Sequence, residues 1–211
     1  MKASPSCRWR LRASLLVLAG ALSIFAAVQD VTAETGLSID FDEVPTVHFP
    51  VRDRVVSAYP AFEDYAFMLF DICDAAGFEA ADCQIFPMNA DLDGNALATI
   101  LDGNRVIVYD RQLSSLVGYE GAEMIIAHEL GHHHCGHLGT ASDPAKELEA
   151  DAFAGAVARL LRRSLEAALA AVPILSERPS LSHPGRQARI EAITAGWSYP
   201  ELGRNCEMIA P

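Results

Sequence analysis

Positive charge is scarce in this chain. Against 28 Asp and Glu stand 16 Lys and Arg, a formal net charge of −12 at pH 7. Four of those basic residues, Lys2, Arg8, Arg10 and Arg12, crowd the first dozen positions. So acidic a surface repels phosphate backbones and anionic lipid, which argues against nucleic acid as a partner and leaves peripheral membrane binding without a cause. Long apolar runs are also missing: past residue 33 no segment is suited to span a bilayer. Internal repeats and low-complexity tracts are absent, which argues against a solenoid or a fibrous chain. What is present, 51% hydrophobic residues in a chain of 211, suits one globular domain with a real core.

The first apolar run, Leu15 to Val28, has 14 residues, fewer than the roughly 20 a transmembrane helix needs. Basic residues precede it and the small residues of Val31-Thr32-Ala33 follow, the pattern of a secretory signal peptide. Residues 1–33 are therefore expected to be cleaved off after Ala33, leaving residues 34–211 as one periplasmic or secreted domain. The membrane is a partner only if that segment stays uncleaved. No cysteine follows the run as an acylation site, and Cys7 lies in the discarded piece. Cleavage removes the four basic residues and Asp30, leaving 12 basic and 27 acidic residues. Four cysteines remain, Cys73, Cys83, Cys135 and Cys206, and an oxidising compartment favours two disulfides. Three full pairings are open; Cys73 with Cys83 closes a short loop and leaves Cys135 with Cys206 as the natural second pair.

Along the chain, residues 34–60 give only a weak strand signal near Val44 to Val51. In "PAFEDYAFMLFDICDAAG", residues Phe62, Tyr65, Leu69, Ile72 and Ala76 recur at helical spacing until Gly77. "QIFPM" predicts a short strand interrupted by Pro87. "NALATILDGNRVIVYDRQL" places two apolar runs around Asp102-Gly103-Asn104 and predicts a β-hairpin. A helix of about five turns follows through "YEGAEMIIAHELGHHH", closed by Gly136 and Gly139. Asp143 as cap and Pro144 in the first turn open a second, longer helix expected to run to Pro173. A Pro-rich and Ser-rich loop then leads to a short helix, "RQARIEAITA".

His128-Glu129-Leu130-Gly131-His132 carries two histidines four apart with a glutamate after the first. Four residues are slightly more than one helical turn, so both imidazoles leave one face and can bind a single Zn²⁺ at about 2 Å. Glu129, turned by about 100°, falls outside that pair and can serve as general base and acid toward a water at an open coordination position. The third ligand is less determined. Position 138, where metzincins place a third His, is Leu, and His137 comes one residue early, so it misses the metal unless the helix breaks at Gly136. A Cys135 thiolate would distort the pair, and a disulfide is its more natural fate. In "ELEADAFA", Glu147 and Asp151 lie four apart on one helix face, so one can bind zinc while the other fixes a ligating imidazole. Glu147 is taken as the ligand and Glu149, out of phase, as a solvated surface charge. His133 and His134 point away from the metal face and read as solvated or supporting residues. His48 has no context.

Four segments in order, "NALATILDGNRVIVYDRQL", "HELGHHHCGH", "ELEADAFA" and "HPGRQARI", resemble the gluzincin peptidases that include HtpX and the CAAX prenyl proteases, together with their small secreted bacterial relatives. The resemblance covers roughly Asn95 to Ile193. It implies that the hairpin's outer strand pairs with an extended substrate, that Glu147 is the third zinc ligand with Asp151 as its support, and that His137 is a further, non-ligating His. It also implies that His183 and Arg189 act near the active site, His183 by stabilising charge on the reacting carbonyl, a contribution often worth about 3 kcal/mol. Arg189 shares that role, supports the site from behind, or anchors a substrate carboxylate. The transmembrane helices and helical-repeat extension of the larger members are missing.

The expectation is an α+β, zincin-like metallopeptidase domain with a β-hairpin edge, an HExxH helix and a second helix carrying the third zinc ligand. Its expected activity is zinc-dependent endopeptidase cleavage of extended or misfolded protein segments. The competing reading is a non-catalytic zinc-binding or protein-interaction module, against which the retained Glu129 argues.

Overall fold

The computed structural model of the chain describes residues 46–206 apart from 52 and 140–142; the expected signal peptide, residues 1–33, lies outside the described residues. Among the described residues the architecture is mixed α and β: one five-stranded sheet and a layer of helices. Strands β1 (Val47–Val51), β2 (Arg54–Pro60), β3 (Ile85–Ala90), β4 (Ala96–Leu101) and β5 (Asn104–Asp110) lie in the order β1-β2-β3-β5-β4. β3 and β5 run parallel, and the other pairs are antiparallel. Leu101 pairs with Asn104, so the expected hairpin closes through Asp102 and Gly103 alone, both at positive φ (49° and 81°), as a two-residue turn whose twist suits a hairpin requires.

Strand β5 is buried from Val106 to Asp110 because both of its faces are covered. Ile107 and Tyr109 pack against helices, while Val106 and Val108 pack against Phe49, Val56 and Ala58 of β1 and β2, which curl over the other face. This explains the unbroken apolar run of β5. The β1–β2 hairpin is more than the weak strand signal indicated: its sequence is punctuated by charge and proline, and its stability comes from covering β5. Pro87 does not interrupt β3. Its carbonyl accepts from Ala61 N on the β2 side, and since the N and O of one strand residue point the same way, its missing donor costs no bond to β5.

Helix α1 (Glu63–Ala76) buries Tyr65, Leu69, Ile72 and Ala76 as expected, but Phe62 is the exposed N-cap residue. Tyr65 stacks on Tyr109 with ring centroids 3.8 Å apart. Helix α2 (Leu113–His134) is kinked at Gly118 (φ 74°) and ends at Gly136. Helix α3 (Pro144–Leu160) is capped by the Asp143 side chain, which accepts from Ala145 N. The long helix expected to reach Pro173 stops there instead. Arg162 adopts φ 63°, and Arg163 N bonds back to Ala158 O, a Schellman closure. Arg163 then reaches the buried Glu123 of α2 through two 2.8 Å bonds, and Ser164 caps the short helix α4 (Leu165–Ala168). Helices α5 (Arg186–Ser198) and α6 (Pro200–Arg204) complete the layer. Disulfides join Cys73 to Cys83 and Cys135 to Cys206.

Helix α3 is buried from Ala150 to Ala158 and packs closely against its neighbours. A Cβ on Gly131 of α2 would press on the Ala150 backbone and on Phe153. Added Cβ atoms on Gly155 and Gly196 would fall inside the backbone of the facing helix, at the carbonyls of Ile193 and Ala152. These contacts set how near α2 and α5 come to α3. Gly196→Ala is therefore expected to destabilise the protein by about 1–3 kcal/mol, the usual cost of overpacking. Urea titration should show a lower midpoint with an unchanged slope.

Candidate metal centre

Helix α2 presents His128 and His132 one turn apart, and the close crossing at Gly131 brings the first turn of α3 against them. The Nε2 atoms of the two imidazoles are 3.0 Å apart. Glu147 lies 3.5 Å from each, Oε2 toward His128 and Oε1 toward His132. A tetrahedral ion bound at 2.0–2.1 Å separates its ligand atoms by about 3.3–3.4 Å, so this triangle has the size of one face of such a coordination sphere. The donor set, two imidazoles and a carboxylate, leaves a fourth position for solvent or substrate. The three residues fit a divalent ion of this kind.

Electrostatics lead to the same place. Burial alone would lower His128, but the hydrogen bond and charge of Asp151 push it up to about 9. His132 is driven down to about 3, first by burial and then by the charge on His128. The site thus holds one proton where a cation would sit. Burial opposes ionisation of Glu147, yet the hydrogen bond and charge of His128 and the charges of His132 and His183 keep its pKa below the usual value.

Each imidazole is held from behind. His128 Nδ1 donates to Asp151 Oδ1 at 2.9 Å, and Arg189 grips both Asp151 oxygens through Nε and Nη2 at 2.7 Å each. Asp151 is almost fully buried, and although burial works against its ionisation, the Arg189 bonds keep its pKa low. Glu147 and Asp151, expected on one face, thus divide into a group that faces the imidazoles' Nε2 atoms and a group behind one ring. Arg189, committed to Asp151, is not placed to anchor a substrate carboxylate with that fork.

His132 is held by a residue the spacing argument left aside. The helix does break at Gly136 (φ 73°), and His137 folds back so that its Nδ1 lies 2.9 Å from His132 Nδ1. His137 Nε2 in turn meets Glu149 Oε2 at 2.6 Å. Glu149 is therefore not the solvated surface charge expected of it. His133 is not solvated either: it is buried, with Nε2 donating to Val106 O at 3.0 Å. The exposed His134 donates to Arg204 O at 3.1 Å. His48, on β1, pairs with Ser57 Oγ at 3.0 Å, well away from the triad in the chain's order.

An open cleft of about 640 Å³ contains His128, His132, Glu147, Glu129, His183 and Arg189. Glu129 is buried, and its desolvation, partly offset by the charge of His128, raises its carboxyl above the usual range. A carboxylate held in this way accepts and returns a proton readily. His183 stands exposed at the rim, with Nδ1 near Ser182 Oγ (2.8 Å) and Nε2 3.9 Å from Glu147 Oε2. Strand β4 forms one wall through Ala96, Leu97 and Ala98, and it is the end strand of the sheet among the described residues. Met124, Val172, Ile174 and Leu175 make an apolar wall.

Because a metal must displace the proton on His128, apparent metal affinity should rise about tenfold per pH unit up to about pH 9 and level off above it. His132, already neutral, adds no further proton. Calorimetry in buffers of different ionisation enthalpy should find one proton released per ion at pH 7.

No curated protein and no solved structure gave a significant match to the chain. Residues 66–144 match the family model of peptidase family M48. That span includes His128, Glu129 and His132 but stops short of Glu147, Asp151, His183 and Arg189, and it supports metallopeptidase chemistry at this site.

Proposed function

We propose that the chain is an exported zinc-dependent endopeptidase of the gluzincin type, a small relative of HtpX and the CAAX prenyl proteases with a zincin-like core, that cuts extended or misfolded segments of protein. The observation that carries this reading is the triangle of His128, His132 and Glu147 with a buried, proton-accepting Glu129 in the same cleft. A metal buffer has no need of such a base. A bound zinc ion would supply Lewis acidity toward a scissile carbonyl and acidify a water molecule.

The protein's own groups supply the rest. A peptide laid along β4 adds a strand by main-chain hydrogen bonds, which restricts substrates to extended chain, and its side chains meet the apolar wall of the cleft. Glu129 takes the proton of the attacking water at its carboxylate and delivers it to the leaving amine. His183 Nε2, at the rim, donates to the carbonyl oxygen as negative charge builds there. Export is supported by the leader-like residues 1–33 and by two disulfides, which persist in oxidising compartments. Among the described residues no helix is long and apolar enough to cross a membrane. The acidic surface leaves nucleic acid outside the expected partners.

Glu129→Gln should keep metal binding while lowering cleavage of an unfolded protein such as casein by about 10²–10⁴-fold. A chelator should abolish wild-type cleavage and zinc restore it. Full activity in Glu129→Gln would refute the assignment, and metal binding without any cleavage by the wild type would make the chain a binding module. His183→Ala is expected to reduce kcat by about 10²–10³-fold with KM nearly unchanged.

A further inference from the structure

His137 and Glu149 have no part in the chemistry just described, yet they form the second half of a symmetric arrangement. One imidazole of the metal triangle is fixed by a carboxylate, the other by an imidazole that a carboxylate fixes in turn. We propose that His137 and Glu149 are positioning residues that set the tautomer of His132 and hold its Nε2 toward the metal. This inference rests on the metal centre but not on the peptidase reading.

The backbone makes the contact. At the end of α2, Gly136 in the left-handed conformation lets His137 N bond to His132 O at 3.0 Å, while Cys135 N bonds to Gly131 O. The long backward bond is that of a Schellman motif, in which the side chain just past the glycine meets the one five residues earlier. That contact is usually apolar. Here it joins two imidazoles, and the disulfide from Cys135 to Cys206 ties down the turn between them. His137 is buried, so its ring needs hydrogen-bond partners.

Hydrogen counting then fixes the tautomers. Two ring nitrogens 2.9 Å apart share one hydrogen. The Glu149 carboxylate accepts, so the hydrogen of a neutral His137 sits on Nε2 and its Nδ1 is left as an acceptor. The shared hydrogen therefore belongs to His132 Nδ1. His132 Nε2 is left with its lone pair, facing His128 Nε2 and Glu147. Asp151 likewise holds His128 by its Nδ1, which leaves Nε2 facing the metal position. Both imidazoles are thus held with Nε2 as the metal-facing nitrogen, and partners of this kind typically matter by 10–100-fold in metal affinity.

The test measures Zn²⁺ affinity by chelator competition, and the absorption spectrum with Co²⁺, for the purified full chain and four variants. His137→Phe and Glu149→Ala should each weaken Zn²⁺ binding about 10–100-fold and alter the Co²⁺ spectrum. Glu149→Gln, whose amide oxygen can still accept from His137 Nε2, should stay within about threefold of wild type. If Glu149→Ala binds within about threefold of wild type, or Glu149→Gln is as weak as Glu149→Ala, the proposal is overturned. Should His137→Phe fail to fold, the half-buried Glu149 pair of variants decides alone. His128→Ala is the control: if it binds as tightly as wild type, the metal centre itself has been misassigned, whereas its loss alongside normal Glu149→Ala binding removes only the positioning role.

Discussion

The functional centre depends on how closely α3 can lie against α2 and α5. Between the two histidines of α2, Gly131 offers no side chain, and α3 answers with Ala150; on the far side, Gly155 of α3 lies against the backbone of Ile193 and Gly196 of α5 against that of Ala152. Side chains at these points would push the helices apart by more than the tolerance of a coordination sphere. Glu147 would then leave the two imidazoles, and Arg189 would leave Asp151. The small residues of α3 are therefore a condition of the site's geometry as much as of the packing.

Charge is arranged around that geometry in alternating layers. The inner layer is a triangle of acceptors that favours a cation. Behind it, Asp151 takes the hydrogen of one imidazole, and its own buried charge is balanced by Arg189. A comparable outer anion, Glu149, stands behind His137. Such buried charges are costly one by one and tolerable only as a connected set. The sheet contributes differently: β5, covered on both faces, is a rigid support, and it holds β4 at the cleft as the end strand among the described residues.

Much of the fold was legible where one short-range signal dominated. The spacing of Tyr65, Leu69, Ile72 and Ala76 with Gly77 marked α1, and Asp102-Gly103 marked the β4–β5 hairpin, because a periodic apolar face and a turn at positive φ are written in adjacent residues. The end of α3 was missed although Ser164, three residues before Ala167, is an N-cap signature. The Ala-rich and Leu-rich run on both sides masked it, and the reason the chain turns there, Arg163 reaching the buried Glu123, is a contact across 40 residues. The β1–β2 hairpin was faint for a similar reason, since its partner is β5, far along the chain.

At the site, the sequence by itself determined the pair of imidazoles and the glutamate beside them, because a helix of fixed pitch turns a four-residue spacing into a shared face. It also narrowed the carboxylates to Glu147 and Asp151, with Glu147 taken as the ligand and Asp151 as its support, although periodicity carries no information on which of two groups on one face lies nearer a neighbouring helix. Only the tertiary structure decided how near Glu147 comes to the imidazole nitrogens, that Asp151 stands behind His128 in particular, and that Glu149 supports His137. Those assignments are set by the crossing of α3 over α2 and by the chain reversal at Gly136, and distances between separate helices are fixed by packing rather than by local pitch.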